Sequence, residues 1–100
     1  MPEVELGQLV ISKAGRDKGR FMLIVKIIDS QYVLVADGEL RRIEKPKKKK
    51  IKHLQLTNKK DGFIYEKLIN NRKVYNEEIR RALEELTGKP DENKGSKGGE

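Results

Sequence analysis

Over its first 57 residues the chain repeats one pattern: a short run of branched apolar residues, a turn, then another run, at spacings of about ten residues with no helical period between them. The runs are LGQLVIS (6–12), FMLIVKII (21–28), QYVLVA (31–36) after a short Asp29-Ser30 turn, LRRI (40–43) after the Asp37-Gly38 hairpin signal, and HLQLT (53–57). Each run is too short to be an independent helix and too apolar to be a loop, so it must find edge partners. The spacing predicts a mainly β fold, a small closed or nearly closed barrel of five strands. In the second run Phe21, Leu23, Val25 and Ile27 share one face, and Met22, Ile24, Lys26 and Ile28 the other. Lys26 marks the first set as the deeper one.

Beyond the strands the periodicity changes. In 58–75, Ile64, Tyr65, Leu68 and Ile69 fit a short helix, kept short by Gly62 and the Asn70-Asn71 pair. Asn76 reads as an N-cap, Glu77 and Glu78 suit the positive end of a helix, and Ile79, Ala82, Leu83 and Leu86 fall at i, i+3, i+4 and i+7. Gly88 and Pro90 end that helix, whose apolar stripe is expected to lie on the barrel, docking on a partner being the alternative. The expected organisation is thus a barrel over 1–57, a connecting segment and C-terminal helix packed on it over 58–88, and a disordered tail over 89–100, which has no apolar residue.

A chain of 100 residues has room for one modest core. It has no cysteine, which rules out a disulfide framework and thiolate metal sites. No apolar run approaches the roughly 20 residues of a membrane span, and the first residues lack the pattern of a signal peptide, so the cytoplasm is the expected location.

The net charge of +7 is unevenly placed: residues 13–20 sum to +3 and 41–60 to +9, while every other stretch is neutral or slightly acidic. Concentrated cationic charge releases counterions when it meets a polyphosphate, which makes nucleic acid the leading partner class. In KAGRDKGR (13–20), Gly15 and Gly19 flank Arg16, Asp17 and Lys18. Glycines give a thin turn from which Lys13, Arg16, Lys18 and Arg20 reach phosphates, with exposed backbone N–H groups as further donors. Asp17 either caps the turn or accepts from a base or a 2′-hydroxyl. The second basic segment holds Arg41, Arg42, Lys45, Lys47, Lys48, Lys49, Lys50 and Lys52. Pro46 discourages a helix there, so the lysines are expected in a flexible loop that binds phosphate without choosing sequence. Either segment can also be read as a solvated loop.

These residues carry a family resemblance. LVISKAGRDKGRFMLIVKI (9–27) resembles the KOW motif of ribosomal and transcription-elongation proteins, a strand, a basic glycine loop and a strongly apolar strand. With IIDSQYVLVADGELRR and KHLQLT behind it, the stretch 5–57 looks like the L-fourteen-e class of large-subunit ribosomal proteins and their bacterial KOW-domain RNA-binding relatives. The resemblance implies an SH3-like barrel whose loops contact ribosomal RNA, Gly19 standing at the motif's glycine and Arg16, Lys18 and Arg20 on the RNA-facing loop. The implied partners are ribosomal RNA and the large ribosomal subunit.

Other classes find little support. Of the five aromatic residues, Phe21 and Tyr32 fall within strands, so recognition of folded RNA by shape and backbone is expected rather than base stacking. His53 is the sole histidine, and no nucleophile, HExxH or P-loop motif is present, so the chain reads as non-enzymatic, with no cofactor and no small-molecule substrate. The acidic residues of 76–92 lack metal-ligand spacing. The lysine run has no lipidation signal or amphipathic anchor beside it, which argues against a membrane surface. The alternative function is a protein-interaction module of the transcription-elongation type, docking on RNA polymerase through its helix.

Overall fold

A computed structural model describes residues 4–88 of the chain. Five antiparallel strands, β1 (Gln8–Ser12), β2 (Phe21–Ile27), β3 (Tyr32–Ala36), β4 (Lys47–Lys50) and β5 (Leu54–Lys60), form one sheet in the order β4-β3-β2-β1-β5. They are followed by α1 (Gly62–Ile69) and α2 (Asn76–Thr87).

The two outer strands of this sheet, β4 and β5, are separated in sequence only by Ile51–His53, one turn of 3-10 helix. Four strand spacings in a flat sheet would hold its edges about 19 Å apart. A 3-10 turn of three residues advances only about 6 Å. The sheet therefore curls until its ends approach, which is the SH3-like barrel expected for the family resembled. Backbone bonds hold the two ends of the connecting turn to neighbouring strands: Ile51 N–H donates to the Gln31 carbonyl beside β3 at 2.8 Å, and Lys13 N–H, just past β1, to the His53 carbonyl at 2.8 Å.

Both faces of the sheet are buried. Val10, Met22, Ile24, Val33, Val35, Ile51 and Leu54 fill the concave interior. On the convex face Leu9, Leu23, Val25 and Ala36 pack against Ile64, Val74, Ile79 and Ala82. Each large apolar side chain so buried contributes on the order of 1.5–3 kcal/mol. The expectation that Phe21, Leu23, Val25 and Ile27 form the deeper face of β2 is corrected here, because Met22 and Ile24 line the interior while helices cover the other side. Lys26 misled because it lies past a bulge: the pairing with β3 shifts by one residue between Ile24 and Lys26, where the strand leaves the core.

The fourth strand also differs from its prediction. Residues 40–43 form no strand; β4 is Lys47–Lys50, paired with β3 in the register Tyr32↔Lys50, Val33↔Lys49, Leu34↔Lys48 and Val35↔Lys47. Backbone groups around 39–43 are claimed by side chains instead, Glu39 and Arg41 N–H donating to Asp37 Oδ1 and Ile43 N–H to Asn76 Oδ1.

The short helix expected in 58–75 is α1, capped by Asp61, whose carboxylate accepts from Ile64 N–H at 2.9 Å. In α2, Ile79 and Ala82 are buried against the sheet and Leu83 and Leu86 pack at the margin, so the stripe is used within the molecule. The N-cap is Tyr75 rather than Asn76, whose side chain is turned toward the 37–46 loop. Gly88, at φ 71°, ends the helix. The expected disordered tail, with Pro90, lies outside the described residues. Among the described residues no helix is long and apolar enough to cross a membrane, and no group of three or more His, Cys, Asp or Glu side chains is placed to hold a metal ion.

Candidate nucleic-acid interface

The loop between β1 and β2 is a tight, self-bonded turn. Lys18 N–H donates to the Gly15 carbonyl, Arg20 N–H to the Asp17 carbonyl and Gly19 N–H back to Ser12, while Ser12 N–H meets Arg20. The N–H groups of residues 18–20 are thus consumed by the turn, so they do not supply the phosphate donors expected of them. Gly15 and Gly19 sit at φ 80° and 86°. A Cβ on Gly19 would meet nothing within 4 Å, so the glycine is required by its left-handed backbone and not by crowding. The turn lifts Lys13, Arg16 and Lys18 into solvent. Asp17 points the other way and is 5% exposed, which removes it as a contact for a base or a 2′-hydroxyl.

Asp17 belongs instead to a reciprocal pair of ion pairs between two loops. Its carboxylate accepts from Arg41 Nε at 3.0 Å, and Arg20 donates to Asp37 at 2.9 Å. Asp37, 4% exposed, is the hub: one oxygen takes the N–H groups of Glu39 and Arg41, the other the Arg20 guanidinium. Gly38 beside it lies against the start of α2, where a Cβ would come within 2.5 Å of the Asn76 carbonyl oxygen. Asn76 holds the far end of the same loop, accepting from Ile43 N–H and donating to the Glu44 carboxylate. That hydrogen bond, with the Arg42 guanidinium nearby, keeps the Glu44 carboxyl below its ordinary range.

The lysine run is an ordered edge strand and not the flexible loop expected from its composition. A lysine has four methylenes to bury before its charge must reach water, and β4 uses them. Lys49 is buried, its Nζ donating to the Ala14 carbonyl of the glycine loop at 2.9 Å. Lys48 and Lys50 lie on the other side, their ammoniums 4.6 and 5.9 Å from the centroid of the Tyr32 ring. Lys47 and Lys48 are exposed and Lys50 is half-buried.

The two basic segments, far apart in sequence, are therefore tied together by Lys49 to Ala14, Arg41 to Asp17 and Arg20 to Asp37. Lys13, Arg16, Lys18, Arg42, Lys45, Lys47, Lys48 and Lys52 are its exposed cations. Arg20 and Arg41 are partly exposed and committed to carboxylates, and Lys49 faces inward. No protein-family model matches the chain. It is 31% identical to the large ribosomal subunit protein eL14 of Sulfolobus acidocaldarius over 85 residues, 85% of this chain and 81% of that protein. The eL14 of Hyperthermus butylicus is 32% identical over 85 residues, 85% of this chain and 80% of its own.

The chain belongs to the eL14 family. A further member, from Desulfurococcus amylolyticus, is 42% identical over 59 residues, and the chain spans 62% of its length. In this eL14-family chain the residues whose roles sequence reading missed are the anions and the amide behind the cations: Asp17, Asp37 and Asn76. Asp37-Gly38 was visible only as a hairpin signal, and nothing in the sequence pairs Asp17 with Arg41, which lies 24 residues away. Chemically, the arrangement is a cationic surface whose buried carboxylates orient arginines without themselves facing solvent.

Proposed function

We propose that the chain binds ribosomal RNA as a protein of the large ribosomal subunit, in the cytoplasm, through the joined surface of residues 13–20 and 41–52. The observation that carries this reading is the fusion of the two basic segments by buried contacts, which gives mobile-looking charges fixed positions. Lys13, Arg16, Lys18, Arg42, Lys45, Lys47, Lys48 and Lys52 reach phosphates, Gly15 and Gly19 set the turn that presents the first three, and Arg20 and Arg41 brace it while offering their outer N–H groups. Lys50 adds charge beside Tyr32. Membership of the eL14 family supports the ribosomal assignment. The protein-docking alternative loses its motive, since the stripe of α2 is covered by the sheet.

The test is salt dependence together with selectivity. Neutralising about six phosphates should make log affinity for structured ribosomal RNA fall against log salt with a slope of about −4 to −5. Ala at Arg16 and Lys18, and separately at Lys47 and Lys48, should each lower affinity for the ribosomal RNA more than for random RNA of equal length, because both sets are ordered. A flat salt dependence would sink the reading.

A further inference from the structure

We infer that the corner between α1 and α2 is a separate RNA contact that takes an unpaired nucleotide, the base stacking on Tyr75 or Phe63 and the phosphate held by Lys73. This rests on the reading that the chain binds RNA, and it reverses the expectation that stacking plays no part.

Phe63 and Tyr75 are 57% and 49% exposed, whereas Phe21, Tyr32 and Tyr65 are partly covered. The fold does not need either ring outside. Both flank one ammonium: Lys67 Nζ lies 4.9 Å from the Phe63 centroid and 5.5 Å from that of Tyr75, and Lys73 Nζ lies 5.3 Å from Tyr75. Lys67 is fixed by its 2.7 Å ion pair with Glu78. Lys73, on a flexible stem, can swing from the ring face onto a phosphate as a base arrives.

The platform is preorganised. Val74 is buried between Lys73 and Tyr75 and anchors both. Asn71, at φ 56°, turns the chain, Arg72 N–H donates to the Lys67 carbonyl at 2.8 Å, and Tyr75 N–H donates to the Glu78 carboxylate at 3.0 Å. Little entropy remains to be lost on binding. Charge points to RNA over a protein: Lys67 is already paired with Glu78, while Arg72 and Lys73 leave the 62–75 stretch with an excess of positive charge that burial in an apolar interface would strand. The corner also adjoins the proposed interface, because Asn76, next to Tyr75, holds Ile43 and Glu44, and Lys73 is near enough to Glu44 to act on its charge.

The chain has no tryptophan, so Tyr75→Trp introduces a single one at the site, which long-wavelength excitation reads apart from the remaining tyrosines. Binding is followed in parallel by anisotropy of labelled RNA, using a single-stranded oligoadenylate and a blunt duplex of equal length. Stacking should quench the introduced tryptophan with the single strand and not with the duplex. Tyr75→Leu should weaken the single strand about tenfold, Tyr75→Phe should restore it, and duplex binding should change little in both, with circular dichroism unaltered. If the single strand binds by anisotropy without quenching, the inference fails while RNA binding stands. If neither RNA binds the parent, the proposed function fails and this inference with it. Burial of the same ring by purified large-subunit proteins in the absence of RNA would assign the corner to a protein and overturn it.

Discussion

Single residues in this molecule act through position more than through charge. Gly19 shows it: at φ 86° with open space around it, a side chain there fits sterically but not conformationally. Gly19→Val should cost about 1–3 kcal/mol, measured by denaturant unfolding, and should reduce selectivity for ribosomal RNA without changing net charge. An unaltered selectivity would reduce the turn to a carrier of charge. Glu44 offers a second test. Its folded pKa is depressed by the Asn76 hydrogen bond, so its contribution is present above the ordinary glutamate value of 4.5 and is lost as pH falls through the lowered value. Parent and Glu44→Gln should therefore differ in Tm above about pH 5 and converge in more acidic buffer, a comparison that thermal melts across pH will make.

At the scale of elements, α2 is a structural buttress. Ile79 is fully buried, so Ile79→Ala should cost about 2–5 kcal/mol, while Leu83→Ala at the margin should cost about 2 kcal/mol or less. Equal Tm values for both variants and the parent would mean that the helix is not seated on the sheet. Runs of branched residues located β1, β2, β3 and β5 to within a few residues, because strand propensity and burial agree there. They failed for β4, since four lysines satisfy every compositional rule for a loop, and what makes them a strand is a distant carbonyl at Ala14 and the free edge of β3. The cations of the candidate surface were legible as types. Their assembly was not, because Asp17 to Arg41 and Arg20 to Asp37 are long-range pairings without local periodicity.

For the molecule as a whole, salt should act with opposite signs on two quantities. A net charge of +7, gathered on one surface, repels itself in the free protein, and a screening length of about 8 Å at 0.15 M shortens that repulsion. Raising salt should lift the Tm of the free chain by a few degrees while weakening its RNA complex, as calorimetry with and without RNA will show. Tm falling with salt in the absence of RNA would mean that its surface pairs outweigh the self-repulsion. The ordered lysines of β4 have one more consequence. A sheet edge is a row of unsatisfied backbone donors and acceptors, an open invitation to pair with a neighbouring copy and seed aggregates. The exposed ammoniums of Lys47 and Lys48, with the half-buried Lys50, make two such edges repel, so the strand proposed to meet a polyanion also keeps copies of the chain from pairing edge to edge.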